Sequence, residues 1–214
     1  MNQTKTLQQA YEIIHDLDRI EGFDEWEELG SADILVTGEL ARRGNLFFIF
    51  TEPELIESIE EIRTEGAHIQ IEGLDYIVTS PDLPVISKRM LSVLKSVKDF
   101  PHQTIPVVIE DTVLVTGADG KLQPSGKVNT DYVAVQLIEH LDILDREKSD
   151  YDTDDDDPDE IEYINKLVLD VPSEGLPPIF RIVDDPIVLY VSPEAKTALE
   201  EAEITGIRFV EIDY

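Results

Sequence analysis

The sequence predicts an α+β protein, a mixed sheet with two strand-helix-strand units and flanking helices. Three observations lead there. Short β-branched runs lie between Gly, Pro and Asn/Asp breakers, as strands do. Amphipathic stretches with helical spacing recur between those runs. One order of parts occurs twice, in DLPVISKRMLSVLKSVKDFPHQTIPVVIE from Asp82 and in DPIVLYVSPEAKTALEEAEITGIRFVEID from Asp185: an apolar entry, a Ser cap, a helix, a loop and a β-branched strand.

In chain order, Leu7, Tyr11, Ile14 and Leu17 fall at helical spacing, widened by Ala10, Ile13 and Ile20, and predict an opening amphipathic helix. SADILVTGEL and NLFFIFTEP, bounded by Gly, Asn and Pro, read as strands. Pro53 through Ile62 carries Leu55, Ile56, Ile59 and Ile62 at helical intervals, with Thr51 as its N-cap. In the later of the two similar segments Ser192 is the N-cap, and Pro193 takes the first helical position, where no N–H is needed. Glu194 suits the positive end of the helix dipole. Ala195, Ala198, Leu199 and Ala202 give that helix a narrow packing face, and Gly206 turns the chain into Ile207, Phe209, Val210 and Ile212. Between the two segments VLVTGADGKLQPSG reads as a hairpin turning at Asp119-Gly120. It leads into DYVAVQLIEHLDILDREKSDY, where Tyr132, Val135, Leu137, Ile138, Leu141 and Leu144 fit either a helix or a buried strand entering one. Residues 1–70 read as an N-terminal α/β lobe, separate or part of one domain, and residues 71–214 as the main domain, with an acidic insertion near 150–162.

With 42% hydrophobic and 30% charged residues, the 214-residue chain has enough apolar side chains to offset the entropy of ordering. Its 47 acidic and 17 basic residues leave a formal charge of −30, which repels nucleic acid and anionic lipid and favours a cationic partner. Solubility alone, or a salt-adapted composition, is the bland reading of the same number. The absence of cysteine excludes disulfides, thiolate metal sites and a Cys nucleophile. The first twenty residues lack the continuous apolar core of a secretory signal, and LFFIF at 46–50 is far too short for a membrane span, so the expectation is a cytoplasmic protein.

Residues 149–163, SDYDTDDDDPDEIEY, hold nine acidic side chains and no basic one. A calcium loop needs Gly sixth and Glu twelfth; counting from Asp150 puts Asp155 and Ile161 there, and counting from Asp152 puts Asp157 and Tyr163. The tract therefore reads as a solvated charge run or as a surface for a cationic protein. On the second reading Asp150, Asp152, Asp154, Asp155, Asp156, Asp157, Asp159 and Glu160 are the candidate contacts. GADGK and SGK lack the spacing of a phosphate loop, and His15, His68, His102 and His140 are too scattered for a zinc pair. No Ser sits in a GxSxG elbow, and the basic pairs at 42–43, 88–89 and 146–148 make no basic face. No catalytic residue, metal ligand or cofactor is assigned, and recognition of a protein stands ahead of catalysis. A metal-dependent hydrolase with carboxylate ligands and a general acidic adaptor stay open as other classes.

In that order, DYIVTSPDLPVISKRMLSVL, TDYVAVQLIEHLDILDREKSDY and LPPIFRIVDDPIVLYVSPEAKTALEEAEITGIRFVEI resemble the myxobacterial-type immunity protein family of polymorphic toxin systems, formerly a domain of unknown function. Three features carry the likeness: the Val-x-Ser at Val85 to Ser87 opening a helix; the stretch ending Asp145, Arg146, Glu147, Lys148, Ser149; and the closing helix with its Thr205-Gly206 turn and Arg208-Phe209 strand. The resemblance spans roughly residues 70 to 212. It implies a cytoplasmic antidote in interbacterial competition, one that binds and blocks a cognate toxin, and it supplies no catalytic residues. The chain departs from the family pattern in the acidic insertion after Tyr151. Charge alone adds that an acidic inhibitor suits a basic toxin, whose groove for phosphates it can fill.

Overall fold

The structure, a computed structural model, describes residues 10–16, 35–36, 60–66, 71–77, 84–153 and 161–212. In chain order these form β1 (Tyr11–His15), β2 (Leu35–Val36), β3 (Ile62–Gly66), β4 (Tyr76–Ile77), β5 (Val85–Ser87), α1 (Lys88–Val97), β6 (His102–Asp111), β7 (Leu114–Thr116), β8 (Leu122–Pro124) and β9 (Val128–Leu137). There follow β10 (Asp150–Thr153), β11 (Ile161–Lys166), β12 (Ile179–Ile182), β13 (Asp185–Val191), α2 (Pro193–Glu201) and β14 (Ile207–Glu211). The class is α+β with strands dominant, as the sequence predicts.

A six-stranded mixed sheet runs β2-β3-β6-β9-β5-β4, with β3 and β6 parallel, and a four-stranded antiparallel sheet runs β12-β13-β1-β14. One device recurs in both. Strands β5 and β6, joined through α1, each pair antiparallel with β9 and so run parallel to one another on its two sides. Strands β13 and β14, joined through α2, flank β1 in the same way. A helical crossover requires parallel ends; here a third strand from elsewhere in the chain fills the gap between them.

Both helices begin at a serine cap. Ser87 Oγ accepts the Met90 N–H at 3.0 Å and Ser192 Oγ the Ala195 N–H at 3.2 Å, each bond worth about 1 kcal/mol to its helix. Their buried faces, Met90 and Leu94 on α1 and Ala195 and Leu199 on α2, meet in one core with Ile86, Val133 and Val135 of the larger sheet and Ile13, Leu189 and Val191 of the smaller. Strand alternation sends the intervening side chains the other way. Tyr132 and Ala134 join Ile62, Ile105 and Val107, while Phe180, Ile182 and Tyr190 join Leu167, Leu169 and Leu176.

Three expectations need correction. Tyr11–His15 is a strand, not part of a helix. Over so few residues the Tyr11/Ile13 alternation competes with helical spacing, and ladder partners on both edges decide for the strand. Leu7, Leu17 and Ile20 lie outside the described residues. Ile62, taken as a helix end, opens β3; Thr51, Leu55, Ile56, Ile59 and the NLFFIFTEP segment lie outside the described residues, and of SADILVTGEL only Leu35 and Val36 are described, as β2. Of the two readings of residues 132–144, the strand holds through Leu137 and no helix follows. Leu141 and Leu144 instead make single bridges to Ile182 and Leu169. From the first seventy residues, β1 enters the smaller sheet and β2 and β3 the larger. Among the described residues no helix is long and apolar enough to cross a membrane.

Candidate functional site

The acidic tract begins in ordered structure. Asp150 and Asp152 lie on β10, which pairs antiparallel with β11 with Asp152 opposite Tyr163 and Tyr151 opposite Ile164. Asp150, Asp152, Tyr163 and Asn165 are exposed, whereas Tyr151, Thr153 and Ile164 are half-buried, and Ile164 packs on the Phe180 core. The Asn165 amide donates to Asp152 Oδ2 at 3.1 Å. The exposed side of this arm thus carries two carboxylates and an aromatic ring, and the residues joining its strands are the acidic run itself. Asp154, Asp155, Asp156, Asp157, Asp159 and Glu160 lie outside the described residues. Backbone pairing holds Asp150 and Asp152 in a ladder at the near end of the run, while their side chains stay exposed to solvent.

The root of this arm is braced by residues that also carry the family resemblance. Ser149 Oγ donates to the Val168 carbonyl at 3.2 Å and accepts the Val168 N–H at 3.0 Å, while the Asp145 N–H donates to the same carbonyl at 2.9 Å. Arg146 pairs with Asp184, whose side chain is almost wholly buried, and its guanidinium lies 5.9 Å from the centre of the Tyr151 ring. That hydrogen bond and the Asp184 charge raise Arg146 above its ordinary value. The Lys148 ammonium donates to Asp145 and holds that carboxyl below the usual range. Arg146 and Lys148, the basic residues of the DREKS stretch, are thus occupied in aiming the arm.

A second cluster, which the sequence reading did not single out, centres on Asp75. Its buried carboxylate accepts from Ser87 Oγ at 2.5 Å, from Arg89 Nε at 3.1 Å and Nη2, and from Thr205 N at 3.0 Å and Oγ1 at 3.1 Å. Burial alone raises this carboxyl; the bonds from Arg89, Ser87 and Thr205 outweigh it and hold the group below its ordinary value. Arg89 also donates to the carbonyls of Ala202 and Glu203 at the end of α2, where a cation complements the helix dipole. Gly206, at φ +79°, closes the join, because a Cβ there would lie 2.7 Å from the Tyr76 carbonyl oxygen. The Tyr132 hydroxyl, bonded to the Ile71 and Leu74 carbonyls, is pushed up to about 12 by burial and then by the charges of Asp75 and Asp131. With donors on both oxygens, Asp75 ties α1 to the turn after α2; it is a staple rather than a proton carrier. Thr205 and Ser87 of the resemblance motifs serve it, so those motifs encode the fold more than a reactive centre.

Beside that staple a groove of about 800 Å³ has Tyr11 and Phe209 among its walls and Glu200, Glu203 and Glu211 at its margins. Its lysine is already engaged: Lys196 Nζ sits 5.1 and 5.2 Å from the two ring centres and pairs with Glu200 at 2.5 Å. Among the described residues no three His, Asp or Glu side chains are grouped to hold a metal. The two predicted contacts that are described, Asp150 and Asp152, come together on one strand. Tyr163, which sequence reasoning used only to reject a calcium loop, stands across from Asp152; an aromatic at alternating spacing beside an acidic run is the signal that could have found it. No protein-family model matches the chain, and no curated protein matches it in sequence.

Proposed function

We propose that this chain is an immunity protein that binds and neutralises a cognate, cationic bacterial toxin, and that the β10–β11 arm is its contact surface. The observation that carries the reading is the exposed side of that arm, with Asp150, Asp152 and Tyr163 on a braced two-stranded root, in a chain of net charge −30. The resemblance of three segments to immunity proteins supports the same function.

Physically, a strongly negative surface steers a positive partner and raises its association rate, while aromatic area at the contact slows release. Bracing at the root lowers the ordering cost of binding. Inhibition is stoichiometric: acidic side chains of Asp150, Asp152, Asp154, Asp155, Asp156, Asp157, Asp159 and Glu160 occupy the toxin's cationic surface and deny it to an anionic substrate. No metal, cofactor or bond-making step is involved. The antidote acts in the cytoplasm, where a delivered toxin reaches its target.

The test is co-expression with a basic toxin domain encoded beside this gene, scored by survival and by association rate. Rescue by the native chain is expected. Replacing the eight acids by Asn and Gln should cut the association rate about tenfold or more at low salt. Failure of the native chain to rescue against any neighbouring toxin rejects the immunity reading. Full-rate binding by the neutralised chain rejects only the arm.

A further inference from the structure

The smaller sheet ends on an open strand. β14 pairs with β1 and, among the described strands, with no other. The Asp16 N–H donates to the Gly206 carbonyl at 3.1 Å, and the antiparallel register carries that pairing on to Arg208 and Val210, at every second residue. The N–H and C=O groups of Ile207, Phe209 and Glu211 therefore point away from β1, and among the described residues no backbone partner meets them. Folded proteins ordinarily blunt such an edge with a bulge or a proline. β14 has neither.

The groove walled by Tyr11 and Phe209 follows this edge. The successive residues Ile207, Arg208 and Phe209 all line it, as happens where a groove runs along a strand's side rather than over one face, and Lys196 and Glu200 of α2 stand across from them. The ring centres of Tyr11 and Phe209 lie 6.4 Å apart at 72°, and Lys196 Nζ is about equally far from both, so the two walls already hold a cation. Asp16, Glu200, Glu203 and Glu211 outnumber Lys196 and Arg208 along the same groove. Lys196 also pairs with Glu200 one turn further along α2, a partner it keeps when another cation takes the rings.

Two independent features name the occupant. Outward backbone groups call for an extended strand, and aromatic walls among acids call for a cation. We propose that β14 takes up an extended, cationic segment of a partner protein, which continues the smaller sheet by one strand and lays an arginine or lysine side chain between Tyr11 and Phe209. Main-chain bonds to Ile207, Phe209 and Glu211 supply affinity, and the groove selects for charge. The incoming cation replaces the Lys196 ammonium over the rings, and Lys196 stays with Glu200. A second copy of this chain suits the edge poorly, since it would bring another Glu211 and a body of −30 against the acids already there. This site is separate from the β10–β11 arm, and its occupancy does not depend on that arm.

The probe is a capped peptide of about seven residues that alternates arginine with valine. It is titrated at about 0.15 M salt into the full chain with the eight acids of residues 150–160 replaced by Asn and Gln, so that the acidic run does not compete for it. Amide shifts and slowed hydrogen exchange are expected at Ile207, Phe209 and Glu211. N-methylation of alternate peptide nitrogens should weaken binding about tenfold or more, as should glutamate in place of arginine. Lys196→Met, which leaves the rings to the incoming cation, should tighten binding about threefold, and Phe209→Leu should weaken it by a similar factor. Glu211→Pro, which removes an outward N–H and no bond to β1, should weaken binding more than Glu211→Ala does. Absence of binding, binding indifferent to N-methylation, or a Lys196→Met variant that binds less tightly overturns the proposal. So does a dimer in sedimentation that Glu211→Pro abolishes, which would give the edge to a second copy.

Discussion

Two hairpins in this protein share a construction and differ in surface. β7–β8 and β10–β11 are both two-stranded, both pair only with themselves among the described strands, and both are pinned near the root by an aspartate and a serine, Asp111 with Ser125 in one and Asp145 with Ser149 in the other. The first presents Leu114, Val115 and Leu122; the second presents Asp150, Asp152 and Tyr163. A backbone of the same kind thus carries two kinds of force. Charge acts over several ångströms, governs how fast partners meet, and weakens with salt. Apolar contact acts at touching distance, governs how long they stay, and does not weaken with salt. One surface can hardly serve both, because acids beside Leu122 would hold water against the apolar face and leucines among the acids would dilute the field.

The largest expected effect comes from the body that both arms share. Asp75→Ala strips partners from the buried Ser87 hydroxyl and the Thr205 N–H, and should lower stability by roughly 2–3 kcal/mol, read as a lower urea midpoint. Both arms should fail together. An arm substitution that costs as much would break the comparison, since it would show the arm to be part of the core. The same staple sets a pH dependence. The folded Asp75 carboxyl lies below its ordinary value, and the unfolded one titrates near about 3.9. Its stabilisation is therefore complete above the unfolded value and is lost as pH falls through the folded one. Between pH values of about 5 and 2, Asp75→Asn should lose stability less steeply than the native chain.

Next in size is the response to salt. Between about 0.05 and 0.5 M salt, association of the acidic arm with a basic partner should slow about tenfold or more. Stopped-flow binding measures this, and a rate that does not fall with salt would erase the distinction between a charged arm and an apolar one. A smaller, local effect is expected at the roots. Arg146→Ala removes the partner of Asp184 and the cation over Tyr151, and should speed amide hydrogen exchange in β10 and β11 alone. Asp111→Ala should do so in β7 and β8 alone, at about 1 kcal/mol. The smallest effect concerns the exposed side chains: Tyr163→Ser and Leu122→Ser should each move the unfolding free energy by no more than about 0.5 kcal/mol, because both are exposed and bury little surface on folding.

The parts of this fold that sequence reasoning reached are those with local causes. Ser87 and Ser192 cap helices whose first turns lie within three residues of them, and Asp119-Gly120 turns a hairpin whose strands adjoin it. The parts it missed depend on distant partners. Tyr11–His15 reads as helix until strands nearly two hundred residues away supply ladders on both edges. Asp75 stands between Leu74 and Tyr76 with no local mark; its partners lie 12, 14 and 130 residues along the chain. The candidate site divides in the same way. Its charge is visible in composition, whereas the pairing that places Asp152 opposite Tyr163 contains two register shifts, which no period-two pattern reveals.

The position of β1 has a consequence for how this molecule is made. It fills the slot between β13 and β14, and the second of these is completed only at residue 211, almost two hundred residues after it. At ribosomal speeds of about 5–20 residues per second, β1 waits some 10 to 40 s for its neighbours. Throughout that time Ile13 lacks Leu189 and Val191 from its core, so the β13-β1-β14 ladder can close only after residue 211 is made, and the nascent chain depends on its own negative charge, or on a chaperone, to keep that strand from pairing elsewhere.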